Sequence, residues 1–111
     1  MDLCEDVIGE ITVLEVKGRI DSTTAPILRD RFQTSCAPNG RPVVVDLQHL
    51  EYISSAGFRV FLLAAKRADE TAGQLVLFGL STKVAQLFDL GGFEDIFRIV
   101  KSRAEALDAL K

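Results

Sequence analysis

Ser54 and Ser55 stand where a strand and loop give way to a buried helix, and a hydroxyl there has few possible jobs. Upstream, Pro42-Val-Val-Val-Asp-Leu47 is short, apolar and β-branched, as an interior strand would be. Downstream, Phe58-Arg-Val-Phe-Leu-Leu-Ala-Ala65 is too long and too rich in leucine and alanine for another strand. The pattern predicts a helix over about 57–71, with Ser55 at or beside its first turn. Backbone N–H groups there lack intrahelical partners, and the helix dipole favours negative charge. A serine in that place is either a helix cap or a point where an anion such as phosphate is held.

Covalent catalysis by Ser55 would need a base and an oxyanion hole. The one histidine, His49, lies six positions upstream in the same loop region and reads as a surface residue. Gly-x-Ser-x-Gly is absent, and the position three after Ser55 is Phe58 where a Ser-x-x-Lys pair would need lysine. The Gly-x-Gly-x-x-Gly and Walker patterns are absent too. Asp21 and Asp46 could share a metal, but no third ligand stands at a defined spacing, and each reads more simply as a cap or turn former. The expectation is a protein that is not an enzyme, with no cofactor and no metal.

The elements that must position the serines alternate along the chain. Val7-Ile-Gly-Glu-Ile-Thr12 reads as a hairpin turning at Gly9-Glu10, with its second arm running to Gly18. Arg19-Ile-Asp-Ser-Thr-Thr-Ala-Pro26 leads into a helix with Ile27, Leu28 and Phe32 on its inner side, stopped before Pro38-Asn39-Gly40. A strand at about 42–47, the helix at 57–71, a strand at 75–78 and a helix at about 82–90 follow. In that helix Val84, Leu87 and Phe88 face inward, and Gly91-Gly92 closes it. A last strand covers 97–100, and Ala104, Leu107 and Leu110 stripe a terminal helix. The order ββαβαβαβα is a single α/β domain over residues 1–111, a mainly parallel five-stranded sheet with one antiparallel hairpin arm. Loops 19–24, 48–57 and 79–82 should converge on one end of that sheet.

Composition narrows the function classes. Thirteen Lys and Arg against sixteen Asp and Glu give a formal charge of −3 with no basic block, which argues against direct nucleic-acid binding. No run reaches the ~18 apolar residues of a membrane span, and the start Met-Asp-Leu-Cys-Glu-Asp has no signal-peptide character, so a cytoplasmic location is expected. Cys4 and Cys36 have no metal-site spacing and read as reduced thiols.

Two motifs carry a family resemblance over nearly the whole length. Gly18-Arg-Ile-Asp-Ser-Thr-Thr-Ala25 is similar to Gly-x-Leu/Ile-Asp-x-x-Thr-Ala, and Val43-Val-Val-Asp-Leu47 with Leu50-x-x-Ile-Ser-Ser-Ala-Gly57 is similar to a strand, Asp-Leu and a serine loop ending in glycine. In both, the chain resembles STAS domains of the anti-sigma factor antagonist kind. The resemblance implies a switch. The unphosphorylated antagonist binds an anti-sigma factor that is also an ATP-dependent serine kinase, so freeing a sigma factor for transcription. Phosphorylation of the serine at the start of the helix after the third strand, here Ser55, ends that binding, and a metal-dependent serine phosphatase reverses it.

By the same resemblance Asp21 and Thr24 line the loop next to the serine; with Ser22, Ser54, Ala56, Gly57, Phe58 and Arg59 they are the expected partner-binding face, on a monomer or weak dimer. Well-studied members read Asp-Ser-Ser/Thr-Gly, whereas Ser54 and Ala56 flank the acceptor here. Ser54 is expected to be the helix cap. Arg59 is either a partner contact or an ordinary solvated charge. The rival expectations are a STAS subunit of a stress-sensing or lipid-transport assembly without sigma-factor control, and a loop face that binds a nucleotide or lipid.

Overall fold

The computed structural model describes residues 1–35, 42–70, 73–90 and 96–110. Its elements are β1 (Asp2–Ile8), β2 (Ile11–Ile20), α1 (Ala25–Ser35), β3 (Val43–Asp46), β4 (Leu50–Ile53), α2 (Ser55–Glu70), β5 (Leu75–Phe78), α3 (Thr82–Leu90), β6 (Arg98–Val100) and α4 (Arg103–Ala109). The strands lie in the order β1-β2-β3-β5-β6, with β4 paired to β2 off that path. Only β1 is antiparallel to its neighbour; β3, β4, β5 and β6 all pair in parallel. The mixed α/β architecture is thus as expected, with six strands in place of five. Leu50–Ile53 escapes a pattern reading because it is four residues long and its burial does not alternate cleanly.

Strand alternation builds two unequal cores. Leu14, Val16, Val43, Val45 and Leu77 point to the face covered by α1, α2 and α3, while Val13, Val44, Val76 and Phe78 point to the face covered by α4. On the larger side, Phe61 packs edge-on against Phe32, Phe88 and Phe97 at centroid distances of 5.3, 6.1 and 6.2 Å. The hairpin turns at Gly9, whose φ of +62° glycine tolerates without strain. Its first arm is longer than its apolar end suggests, because β1 is a largely exposed edge strand carrying Asp2, Glu5 and Asp6.

Two side-chain expectations are corrected. Ile27 is 56% exposed, since Ala25, Leu28 and Phe32 already fill the sheet-facing side of α1 and Ile27 lies about 100° round the helix from Leu28. On α4 the fully buried residue is Ala106, whose small side chain suits close packing on the Val13–Val44–Val76–Phe78 cluster; Ala104 is exposed, while Leu107 and Leu110 are partly buried. The expected stops at Pro38-Asn39-Gly40 and Gly91-Gly92, and Cys36, lie outside the described residues, while Cys4 is an exposed free thiol. Among the described residues no helix is long and apolar enough to cross a membrane.

Candidate functional site

The site begins with the last three pairs between β2 and β4. Gly18, Arg19 and Ile20 run beside Leu50, Tyr52 and Ile53, with a register shift between Gly18 and Arg19. Gly18 has φ +89°, a conformation that suits glycine at such an irregularity. The Arg19 guanidinium lies 4.5 Å from the centre of the Tyr52 ring, a cation–π contact that braces the two strands. Beyond the last pair, the Ser54 N–H donates to the Ile20 carbonyl at 2.9 Å, tying the start of α2 to the end of β2.

Ser54 is the cap of α2. Its carbonyl accepts from the Phe58 N–H at 3.0 Å, the first bond of the helix, and its Oγ accepts from the Gly57 N–H at 3.3 Å. Ser55 is the first helical residue and is exposed. Capping and display are therefore divided between the two hydroxyls. Ala56 is half-buried against the core, and Gly57 is fully packed: a Cβ there would lie 2.7 Å from both Ile20 Cγ2 and Ile53 Cγ1. Glycine is what lets α2 settle onto the ends of β2 and β4.

The 21–24 loop is built by reciprocal bonds. Asp21 Oδ1 accepts from the N–H groups of Thr23 at 2.9 Å and Thr24 at 3.1 Å, while the Asp21 N–H donates to Thr24 Oγ1 at 2.9 Å. The Ala25 N–H donates to the Asp21 carbonyl at 2.8 Å, leading directly into α1. The Thr24 and Thr23 N–H groups hold the Asp21 carboxyl below its ordinary range, because they stabilise its charged form. Asp21 and Thr24 thus shape this loop, and Ser22 is exposed on it.

Two of the expected partner-face residues are placed otherwise. The Phe58 side chain is buried, 4.9 Å from the Phe88 ring centre in an edge-on contact, so it anchors α2 instead of meeting solvent. Gly57 is buried as well, and acts by the close approach it permits. Arg59 is exposed one turn after Ser55.

The other loops at this end do converge. The Leu47 N–H donates to the Phe78 carbonyl, and Gly79, at φ +78°, passes so close to the Gln48 side chain that no Cβ would fit. Ser81 caps α3 through the Val84 N–H at 3.2 Å. Arg19, Gln48, His49, Ser81 and Lys83 line a shallow, open depression between these loops. Asp46 Oδ1 accepts from the Gln48 N–H at 2.9 Å and so serves the turn. Among the described residues no group of three His, Cys, Asp or Glu side chains is placed for a metal, and no hydrogen bond joins Ser55 to His49, whose carbonyl accepts from the Gly18 N–H. The cap at Ser81 and the Arg19–Tyr52 brace were not foreseen; Ser81 before an apolar-periodic run was a readable cap signal, whereas the ring contact required knowing that β4 exists.

Comparison with known proteins agrees with this geometry. The STAS domain profile matches residues 5–106. BtrV of Bordetella bronchiseptica, provisionally named an anti-sigma factor antagonist, is 38% identical over 111 residues, covering 100% of this chain and 96% of that protein. The anti-sigma-B factor antagonist of Listeria monocytogenes is 34% identical over 90 residues, covering 81% of this chain and 79% of its own. In structure, the unphosphorylated anti-sigma factor antagonist SpoIIAA aligns with a TM-score of 0.80 at 18% identity, covering 97% of this chain and 95% of SpoIIAA. The phosphorylated form of Bacillus SpoIIAA aligns at 0.73 and 18% identity, over 99% and 100% of the two chains.

Proposed function

The chain belongs to the STAS-domain family of anti-sigma factor antagonists, and on that footing we propose that it is a partner-switching regulator whose switch is Ser55. Unphosphorylated, it binds an anti-sigma factor that is also a serine kinase, and the sigma factor is released to direct transcription. In the reverse step the Ser55 hydroxyl oxygen attacks the γ-phosphorus of ATP held by that kinase. The bond to the β-phosphate oxygen breaks, ADP leaves and the hydroxyl proton passes to a base of the kinase. A serine phosphatase returns the hydroxyl by hydrolysis. The setting is the cytoplasm, with the antagonist a monomer or weak dimer.

The observation that carries this reading is the division of labour at the start of α2. Ser54 holds the helix cap, so the exposed Ser55 hydroxyl is available for transfer without unfastening the helix. Asp21, Ser22, Thr24, Ser54, Ala56 and Arg59 form the surrounding face, with Gly57 and Phe58 as its support. A phosphate adds about −1.5 to −2 charges and three acceptor oxygens. A helix N-terminus tolerates that charge, so the fold survives. A partner surface shaped to a neutral hydroxyl meets bulk, desolvation and repulsion, so binding is lost.

The test is incubation with ATP and extract of the source cells. Mass spectrometry should show a gain of ~80 Da, one phosphoryl group, mapping to Ser55. Phosphate on neither Ser55 nor Ser54 rejects the switch.

A further inference from the structure

We propose that Arg59 is the internal counter-ion of the phosphorylated switch, holding the Ser55 phosphate against α2. The inference rests on the reading of Ser55 as the phosphoacceptor and adds to it a residue that sets how the modified state behaves. Ser55 and Arg59 are four positions apart on α2, one above the other on the same face and separated by about 6 Å of helix rise. Both are exposed. Among the described residues Arg59 has no ion pair or ring contact, so its guanidinium is uncommitted in the unphosphorylated state.

The other charges on the elements meeting this end of α2 do not offer the same service. Arg19 is stacked on Tyr52, the Asp21 carboxylate is bound to the Thr23 and Thr24 N–H groups, and Glu51 is a second, exposed acid on β4. Lys83 and His49 line the depression beside Arg19, whose lining does not include Ser55. Asp21 follows directly on Ile20, whose carbonyl accepts the Ser54 N–H, so an acid stands next to the strand end on which α2 starts. The helix itself has less to give than a bare N-terminus, because Ser54 Oγ already takes the Gly57 N–H and the Ile20 carbonyl takes that of Ser54. That leaves the Arg59 fork, whose paired N–H groups suit phosphate oxygens. An anion placed N-terminal to a cation at this spacing is also the favourable orientation on a helix.

The consequence is a phosphoserine that is more fully dianionic at neutral pH and held close to its own helix. A cation beside a phosphate stabilises the dianion and lowers its second ionisation, so removing the cation raises it.

The experiment uses the full chain with phosphoserine installed at position 55 by genetic encoding, so it does not depend on any kinase. Phosphorus NMR across pH should show Arg59→Ala raising the second ionisation by about 0.3–0.7 pH units, with Arg59→Lys in between. The thermal midpoint of the phosphorylated form should fall by about 1–3 °C in Arg59→Ala, with the unphosphorylated form unchanged. Superimposable phosphate titrations in the two proteins overturn the proposal, as does an equal loss of midpoint in both forms. Failure of the extract assay rejects Ser55 as a natural acceptor and leaves the installed-phosphate titration readable, so the two ideas fail separately.

Discussion

Helices α2 and α3 begin almost identically at the same end of the sheet, yet the two starts are backed by different packing. Each opens with a serine cap followed by an exposed hydroxyl residue: Ser54 then Ser55, and Ser81 then Thr82. The caps are equivalent, with Oγ accepting at 3.3 and 3.2 Å from the third helical N–H. The difference lies behind them. The third helical residue is Gly57 in α2 and Val84 in α3, so α2 drops onto Ile20 and Ile53 while α3 stands off on a buried valine. Through the Ser54 N–H and the Ile20 carbonyl, the start of α2 is also bonded to the end of β2, just before the 21–24 loop. A capped hydroxyl at a helix mouth is therefore common currency in this fold; the backing by glycine and a second structured loop is what sets Ser55 apart.

Charge at the two hydroxyls should separate the helices most sharply. Ser55→Asp is expected to weaken binding of the anti-sigma partner by two to three decades, ~3–4 kcal/mol, in isothermal titration. Thr82→Asp should leave that affinity unchanged, and an equal loss at both sites would erase the distinction. Next comes the backing itself. Gly57→Ala forces the helix off its strands and should cost ~2 kcal/mol in urea unfolding by overpacking, whereas Val84→Ala loses a comparable amount by leaving a cavity. The two variants should differ in binding, with only Gly57→Ala displacing Ser55.

The caps should prove alike. Ser54→Ala and Ser81→Ala are each expected to lower stability by ~1 kcal/mol, and glycine at either position by only a few tenths. A negligible cost at Ser54 would mean that another group caps α2. The smallest effect belongs to the loop beside it. The Asp21 carboxyl is held below its ordinary range in the folded protein, so its contribution is present above the unfolded value of ~4 and is lost as pH falls through the folded one. Asp21→Asn should flatten the acid limb of the urea midpoint against pH, while Ser81, with no ionising cap, gives α3 no such dependence.

Much of this was readable beforehand. Ser54 as cap, Ser55 at the helix start and the convergence of the three loops follow from cap chemistry and from the alternation of strand and helix patterns. The buried runs Val43–Asp46 and Leu75–Phe78 were clear for the same reason, since continuous β-branched segments have few other homes. What escaped has physical causes. Leu50–Ile53 is too short to show a period, and its pairing with β2 is a long-range fact. Phe58 reads as a partner-face candidate because it follows closely on Ser55, the proposed acceptor, and only the helix phase turns it toward Phe88. Ile27 is apolar and exposed, which periodicity alone does not anticipate.

Strand β2 is ten residues long and does two separate jobs, pairing with β3 through Thr12–Glu15 and with β4 through Gly18–Ile20. The register shift falls inside the second stretch, between Gly18 and Arg19. Strand β4 is thus paired to the sheet by three residue pairs that include an irregularity, and this ladder is expected to open before that of Val43–Val45. In hydrogen exchange the Ser54 and Tyr52 amides should trade with solvent well before those of Val44 and Val45, marking a separate unit of local unfolding at the end that carries Ser55.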